Sequence, residues 1–252
     1  MALIYFYDTT EIDKQQLTTG LVATDHHWEF VDEEISIDNI NPEAEVISVF
    51  ITSTVTADMI AAMPKLKLIA CRSTGFNNVD TAAAASRGII VENVPTYGEQ
   101  TVAEYAFTLL LALSRKLPAA LRSFDDDTPV ERMRGWDLQG KTLGVIGTGH
   151  IGQCAIKIAN GFGMHVIAYD PYPNEKSATE LGYTYASLEE VLQQSDAITI
   201  HAPYFPSNHH LINAERLAMM KPTAVLVNTA RGELVDTHAL NEAVAAKVID
   251  GA

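Results

Sequence analysis

The sequence predicts an α/β protein made of two doubly wound parallel-sheet domains. Short apolar runs alternate with helical patterns along most of its 252 residues, as in parallel sheets whose strands are joined by crossover helices. A polar stretch interrupts this alternation near the middle, and a second series follows it. The second series opens with a glycine-rich turn between a strand and a helix. The length is sufficient for two domains of ordinary size.

The first domain is predicted over residues 1–97. Helical composition covers residues 57–63 and 80–87, and the second of these helices is expected to begin at the N-cap Asp80 and to end at Gly88. The apolar runs that predict its buried strands are residues 2–7, 45–51, 66–71 and 89–94.

A long amphipathic segment follows at residues 99–116 and predicts a helix closed by Pro118. The pattern suits a helix between two domains as well as one in a dimer interface, so both interpretations stay open. Residues 123–139 are polar and contain an acidic run at 125–127, which predicts a solvated surface loop.

The second domain is predicted over residues 98–252. Its strands and helices alternate in the order of a doubly wound nucleotide-binding fold. The predicted strands are residues 142–147, 165–170, 197–201 and 224–228, with a last strand that starts at Lys247.

Composition restricts the classes of function. The formal net charge is −15 and the isoelectric point is near 4.8, which disfavours binding to nucleic acid and to anionic membranes. The apolar runs are too short for a bilayer span and the start lacks the basic residues of a signal peptide, so we expect a cytoplasmic protein. The spacings of cysteine and histidine predict neither a disulfide nor a metal site.

The segment Gly147-Thr148-Gly149-His150-Ile151-Gly152 is a GxGxxG motif between a strand and a helix. Its glycines permit a tight turn, a close approach to a pyrophosphate and close helix packing, while the helix amides face the phosphates. Asp170 ends the next strand, where its carboxylate can accept both ribose hydroxyls and would repel a 2′-phosphate. The pair predicts NAD rather than NADP. The alternative is a glycine turn and a capping aspartate in a domain without ligand.

A second glycine pattern is a false match. Residues 135–142 fit the phosphate-loop pattern GxxxxGK[ST], but such a loop needs a strand before it and a helix after it. Here a loop precedes and a strand follows. The order of elements therefore disfavours ATP hydrolysis.

Five segments together resemble the D-isomer-specific 2-hydroxyacid dehydrogenase family, in its order and spacing. They are CRSTGFNNVD, GKTLGVIGTGHIG, VIAYDPYP, SDAITIHAPYFPSNHHLIN and KPTAVLVNTARGELVDTHAL. The resemblance covers nearly the whole chain. It implies a flavodoxin-like substrate domain at residues 1–97 and a Rossmann NAD-binding domain at residues 98–252.

The resemblance also implies how substrate is bound. Arg231 matches the family's catalytic arginine, whose planar fork can hold the substrate carboxylate and polarise the C2 carbonyl. The backbone amides of Ser73, Thr74 and Gly75 match a loop that binds this carboxylate, and Tyr97 matches the pocket lining. Outside the motif, an arginine at a strand end would be interpreted as a surface ion-pair partner and the tyrosine as packing.

Further positions match the family's NAD contacts. His201 ends a strand near the expected nicotinamide, but the family's acid lies elsewhere, so we interpret this histidine as structural or as a wall of the cofactor site. The positions implied by the resemblance are His201, Ala202, Pro203, Asn208, Thr229, Ala230 and Arg231, in addition to His150 and Ile151 of the glycine motif.

In the family, a proton-donating histidine and the glutamate that orients it follow the arginine motif, and the sequence ends at Ala252 before either. We therefore expect a fragment of a longer dehydrogenase with an incomplete NAD-binding domain; a naturally short NAD-binding protein is the alternative. General acid catalysis is worth about 10²- to 10⁴-fold in rate, so the chain by itself should be slow or inactive.

The implied reaction transfers a hydride between NAD(H) and a pair of a D-2-hydroxy acid and a 2-oxo acid. D-lactate and pyruvate are favoured, while phosphoglycerate, glycerate and branched acids stay open. A homodimer is the expected assembly. The alternative from another class is an NAD-binding redox sensor, similar to the family's corepressor relatives, that binds cofactor without turnover.

Overall fold

A computed structural model describes residues 1–123 and 133–252. Contacts between Cα atoms divide the chain into two compact units, Met1–Tyr97 and Gly98–Ala252. Each unit contains a five-stranded sheet in which every pair of neighbouring strands is parallel. The predicted α/β class with two doubly wound sheets is confirmed.

The first unit has the strand order of a flavodoxin-like sheet. Its elements are β1 (Leu3–Phe6), α1 (Glu11–Leu21), β2 (His27–Phe30), β3 (Val46–Val49), α2 (Ala57–Ala62), β4 (Leu68–Cys71), α3 (Thr81–Ser86) and β5 (Ile90–Glu92). The sheet runs β2-β1-β3-β4-β5. Each helix starts at a side-chain cap, provided by Thr10, Thr56 and the predicted Asp80.

Two elements of this unit were not predicted. β2 lies at the sheet edge and alternates exposed with half-buried side chains, while α1 has no fully buried residue. β2 therefore lacks the continuous apolar run that reveals a central strand, and α1 lacks a buried apolar face. The core instead consists of side chains from the inner strands and their helices, such as Ile47, Ile69 and Met63.

The second unit has the strand order of a Rossmann domain. Its helices are α4 (Glu99–Ser114), α5 (Leu117–Arg122), α6 (His150–Gly161), α7 (Glu175–Leu181), α8 (Leu188–Gln194), α9 (Ala214–Ala218) and α10 (Thr237–Ala245). Its strands are β6 (Thr142–Ile146), β7 (His165–Tyr169), β8 (Thr184–Tyr185), β9 (Ala197–Ile200) and β10 (Val225–Asn228). The order is β10-β9-β6-β7-β8, so the winding reverses between β6 and β9.

Both faces of this second sheet are covered. Val145 packs with α4 and α6 in one apolar cluster, whereas its neighbour Ile146 packs with Ile198 and Leu192 in another. Burial on both faces explains why these strands read as continuous apolar runs. No helix in the described ranges is both long and apolar enough to cross a membrane.

The prediction that Pro118 closes the long helix was wrong. α4 ends at Ser114, and Lys116 adopts φ +51°, a left-handed conformation that interrupts the helix. Pro118 then lies in the first turn of α5, where its missing N–H costs nothing because first-turn amides have no helical acceptor.

The strand predicted to start at Lys247 was also wrong. Lys247 has φ +57°, which an extended strand does not allow. Among the described residues of this segment, pairing is limited to an isolated parallel bridge between Gly251 and Val225. The acidic run at residues 125–127 lies outside the described residues, so the solvated loop stays a prediction.

Candidate functional site

The carboxyl ends of β6, β9 and β10 lie side by side at one edge of the second sheet. Ile146 pairs with Ile200, and Ile200 pairs with Asn228, so the residues that follow these strands leave the sheet together. Ligands of doubly wound sheets bind at this edge, where the strand order reverses. The topology thus gathers the glycine motif, residues 201–203 and residues 229–231, all of which the sequence had singled out.

Two glycines of the motif are required by the chain itself. Gly147 has φ +94°, and a Cβ added there would lie 2.7 Å from the Ala202 nitrogen and 2.8 Å from the His201 carbonyl carbon. A Cβ added at Gly152 would collide with the carbonyl oxygen of Gly147. Both positions therefore need glycine for turn geometry and close packing.

Gly149 has a different reason to be glycine. It is the N-cap of α6 with φ −65°, and a Cβ added there would meet nothing within 4 Å. Neither backbone strain nor internal packing excludes a side chain. The amides of His150 and Ile151 begin the helix beside it, and first-turn amides lack helical acceptors. A glycine here fits the close approach of an anionic group to the helix N-terminus.

The Asp170 carboxylate is fixed against the glycine turn. Its Oδ2 accepts hydrogen bonds from the backbone N–H of Thr148 at 2.8 Å and from the Thr148 hydroxyl at 3.0 Å. Its Oδ1 accepts the Tyr172 N–H at 2.9 Å. Sequence reasoning missed Thr148 because it occupies a variable position of the GxGxxG pattern. The structure makes it the link between the turn and the acidic strand end.

Two buried polar atoms at this edge lack partners. The Nε2 of His201 lies 3.0 Å from the Thr199 hydroxyl, whereas its Nδ1 and the Oγ1 of Thr229 are buried and have no hydrogen-bond partner in the described part of the chain. Buried polar atoms normally find a partner, so such a pair fits a polar ligand. Burial lowers the pKa of His201 to about 4. The ring is therefore neutral at neutral pH, which disfavours it as the proton-donating acid.

Asn228 shapes the turn that carries Arg231. Its Oδ1 accepts the Ala230 N–H at 3.0 Å, and its Nδ2 donates to the Arg231 carbonyl at 2.8 Å. The Nη1 of Arg231 donates to the Ala230 carbonyl at 3.0 Å. These bonds place the guanidinium at the carboxyl end of β10. Asn228 was not singled out from the sequence, although an asparagine that hydrogen-bonds residues just after it is typical of a turn.

Asn208 braces the loop that follows β9. Its Nδ2 donates to the Pro203 carbonyl at 2.8 Å, and its Oδ1 accepts the Phe205 N–H at 2.7 Å. The amide group thus stabilises the loop that begins at His201, and its contact with cofactor stays a prediction. Within the described residues, no group of three or more His, Cys, Asp and Glu side chains could hold a metal ion.

In the first unit, the residues predicted to bind substrate follow β4. Arg72 anchors the start of this turn by donating to two carbonyls at the end of β1, at 2.6 and 2.9 Å. The buried Ser73 hydroxyl donates to the Gly75 carbonyl at 2.6 Å. The backbone N–H groups of Ser73, Thr74 and Gly75 donate to no acceptor in the described ranges. Successive amides of this kind can bind an anion. Tyr97 ends the unit and is 61% exposed.

Comparisons with known proteins show what the chain is similar to. The family model of the D-isomer-specific 2-hydroxyacid dehydrogenase, NAD-binding domain, matches residues 107–252. The chain is 37% identical over 244 residues to the D-lactate dehydrogenase of Escherichia coli, covering 94% of this chain and 74% of that protein. It is 43% identical over 204 residues to a D-3-phosphoglycerate dehydrogenase of Mycobacterium bovis, covering 81% of this chain and 39% of that protein.

A solved structure shows the same fold. The D-lactate dehydrogenase of Aquifex aeolicus, in complex with NAD and lactic acid, superposes with a TM-score of 0.88 at 33% identity. The superposition covers 98% of this chain and 75% of that chain. The likeness extends over both units and not only over the nucleotide-binding one.

Proposed function

Because the chain belongs to the D-isomer-specific 2-hydroxyacid dehydrogenase family, with an NAD-binding domain as its second unit, we propose that it interconverts a D-2-hydroxy acid and its 2-oxo acid. D-lactate and pyruvate are the proposed pair, since the relatives in Escherichia coli and Aquifex aeolicus are D-lactate dehydrogenases. Phosphoglycerate is the second choice, given the Mycobacterium bovis relative.

The observation that carries the proposal is the edge of the second sheet. Gly149 leaves the N-terminus of α6 accessible, Asp170 lies against the glycine turn, and His201 and Thr229 present unpartnered buried atoms. These groups fit a dinucleotide. The α6 amides would face the phosphates and Asp170 the adenosine ribose, while His201 and Thr229 would face the nicotinamide end. When bound, the cofactor supplies or accepts the hydride at its nicotinamide ring. A carboxylate at position 170 disfavours a 2′-phosphate.

Arg231 is the proposed catalytic residue of the second unit. During reduction of a 2-oxo acid, negative charge develops on the C2 oxygen, and a fixed cation that hydrogen-bonds this oxygen stabilises the transition state. Its planar fork can also bind a carboxylate through two parallel hydrogen bonds. His201 is not proposed as the source of the proton for that oxygen, because burial lowers its pKa to about 4.

The turn after β4 is the proposed carboxylate-binding element of the first unit. The N–H groups of Ser73, Thr74 and Gly75 have no acceptor among the described residues, and the Ser73 hydroxyl keeps the turn closed. Tyr97 is proposed to line the substrate pocket. Consecutive backbone amides can bind a carboxylate without a positively charged side chain.

Two further proposals concern the whole protein. A homodimer is supported by apolar side chains exposed on α4 and α5, including Tyr105 and Leu121, which are both 58% exposed. The net charge of −15 supports the proposal that nucleic acid and anionic membranes are not partners. A cytoplasmic location is proposed alongside it.

The test has two stages. NADH is first titrated against the chain with fluorescence as the readout, and NADH consumption is then followed with pyruvate, hydroxypyruvate, 3-phosphohydroxypyruvate and a branched 2-oxo acid. The assay compares this chain with its coding region extended downstream. The proposal expects saturable NADH binding by both, and turnover of at least one acid that is slow in this chain and faster in the extended one, with oxidation of D-lactate but not L-lactate in reverse. Absence of NADH binding would contradict the proposal. Binding without turnover of any acid in either chain would favour the redox-sensor alternative.

A further inference from the structure

A row of hydroxyl groups leads from β8 to the Asp170 carboxylate. The Tyr183 and Tyr185 hydroxyl oxygens are 3.0 Å apart, the Tyr185 hydroxyl lies 2.8 Å from the Oγ1 of Thr148, and this Oγ1 lies 3.0 Å from the Oδ2 of Asp170. The Tyr185 hydroxyl also accepts the Asn174 N–H at 3.0 Å. The proposed reaction assigns no role to either tyrosine.

The direction of each hydrogen bond in this row follows from the number of hydrogens. A hydroxyl has one hydrogen to donate, and the Thr148 hydroxyl donates its hydrogen to Asp170. Tyr185 must therefore be the donor to Thr148. Because its hydrogen is then used, Tyr185 accepts from Tyr183 as well as from Asn174. All three hydroxyl hydrogens point toward the carboxylate, an arrangement in which each bond polarises the next.

The same count limits what Asp170 can offer a ligand. A carboxylate has about four acceptor positions. Two on Oδ2 are taken by the N–H and hydroxyl of Thr148, and one on Oδ1 is taken by the Tyr172 N–H. The remaining position is on Oδ1. In this arrangement Asp170 can accept one further donor, not both ribose hydroxyls as the motif alone suggested.

The tyrosine pair is held in place by packing. Tyr183 is 5% exposed, and its ring meets that of Tyr185 edge to face, with centroids 5.3 Å apart and an interplanar angle of 74°. The hydroxyl of Tyr185 is thereby fixed relative to β7 and the glycine turn. Burial raises the pKa of Tyr183, so this hydroxyl keeps its hydrogen at neutral pH.

We propose that Tyr185 is a positioning residue for cofactor selectivity, which through Thr148 fixes the Asp170 carboxylate so that Oδ1 meets one ribose hydroxyl. The inference rests on the proposed cofactor role of Asp170. A fixed carboxylate favours a 2′-hydroxyl and repels a 2′-phosphate. A carboxylate that can turn away discriminates less between the two. Tyr185 therefore acts on the ratio of the affinities for NADH and NADPH.

The test compares Tyr185→Phe with Tyr183→Phe and with Tyr105→Phe, an exposed tyrosine on α4, in the full chain. Kd values for NADH and NADPH are measured by fluorescence titration, and Tm by thermal unfolding. Tyr185→Phe should weaken NADH binding about 2- to 10-fold and lower the NADH preference by a similar factor, since it removes one bridging hydroxyl. Tyr183→Phe, which leaves the bond from Tyr185 to Thr148 intact, should change the preference less than about 2-fold. Tyr105→Phe should leave the Kd values for both cofactors unchanged.

A second pair of variants tests the link through Thr148. Thr148→Val removes the hydroxyl at constant size and should lower the NADH preference at least as much as Tyr185→Phe. Thr148→Ser, which keeps a hydroxyl, should retain the NADH preference of the unmodified chain. The inference would be overturned if Tyr185→Phe left the cofactor preference unchanged. It would also be overturned if the variant lowered Tm and weakened the binding of NADH and NADPH by the same factor. Either result would leave the proposed function intact. If the unmodified chain binds neither cofactor, the proposed function and the inference fail together.

Discussion

Gly147→Ala should destabilise the second unit although it adds a single methyl group. At the φ of +94° an L-residue is strained, at a cost of roughly 1–2 kcal/mol. The new Cβ would lie 2.7 Å from the Ala202 nitrogen and 2.8 Å from the His201 carbonyl carbon. Relief requires a backbone shift where the His201 N–H donates to the Ile146 carbonyl at 2.7 Å. Overpacking costs about 1–3 kcal/mol, so we expect a loss of about 2–5 kcal/mol in unfolding free energy.

The assay is urea unfolding of the full chain, with a fluorescence signal that comes from the second unit. The chain has two tryptophans, Trp28 in the first unit and Trp136 in the second. In a Trp28→Phe background, the remaining fluorescence reports on the second unit, because Trp136 packs against its core. Gly147→Ala should lower the urea midpoint without changing the slope.

Gly149→Ala is the matched control, with the same chemical change two residues away. Its φ of −65° and open surroundings accommodate a methyl group. The unfolding free energy should change by less than about 1 kcal/mol, because the lower entropy of the unfolded chain opposes the poorer N-cap. NADH binding should nevertheless weaken by about 10-fold or more, because the methyl group would separate a phosphate from the α6 amides. An unchanged midpoint in Gly147→Ala would refute the steric argument. Unchanged NADH affinity in Gly149→Ala would refute the close approach.

Three further predictions address the ionisable groups of the site. The pKa of His201 is lowered from 6.5 to about 4 by burial, so the unfolded state takes up a proton first as the pH falls; stability is fully present above pH 6.5 and should drop by about 3 kcal/mol toward pH 4. Urea unfolding across this range checks it, and an equal drop in His201→Gln would exclude His201 as the cause. Asp170→Ala should reduce the preference for NADH over NADPH by about 10-fold in titrations; an unchanged ratio argues against ribose recognition. Arg231→Lys should lower kcat/KM for pyruvate by about 100-fold or more, because the planar fork is lost; an equal kcat/KM would remove Arg231 from catalysis.

The sequence by itself was sufficient for the fold class, the family and the NAD cofactor, which are all confirmed. Central parallel strands are buried on both faces, so they appear as continuous apolar runs whatever their neighbours are. The glycine turn and the acidic strand end are also local signals, because a positive φ and a helix start depend on residues close in sequence. The left-handed conformations of Lys116 and Lys247 were missed, since lysine does not favour a left-handed backbone.

Only the tertiary structure decided which side chains meet. Edge elements such as α1 and β2 bury too little apolar surface to leave a pattern. The bond between Thr148 and Tyr185 joins residues 37 positions apart, and the unpartnered atoms of His201 and Thr229 depend on how separate strand ends pack. A sequence pattern records whether a position is buried, but a hydrogen bond also requires distance and direction between two atoms. These follow only when separate elements have been packed against one another.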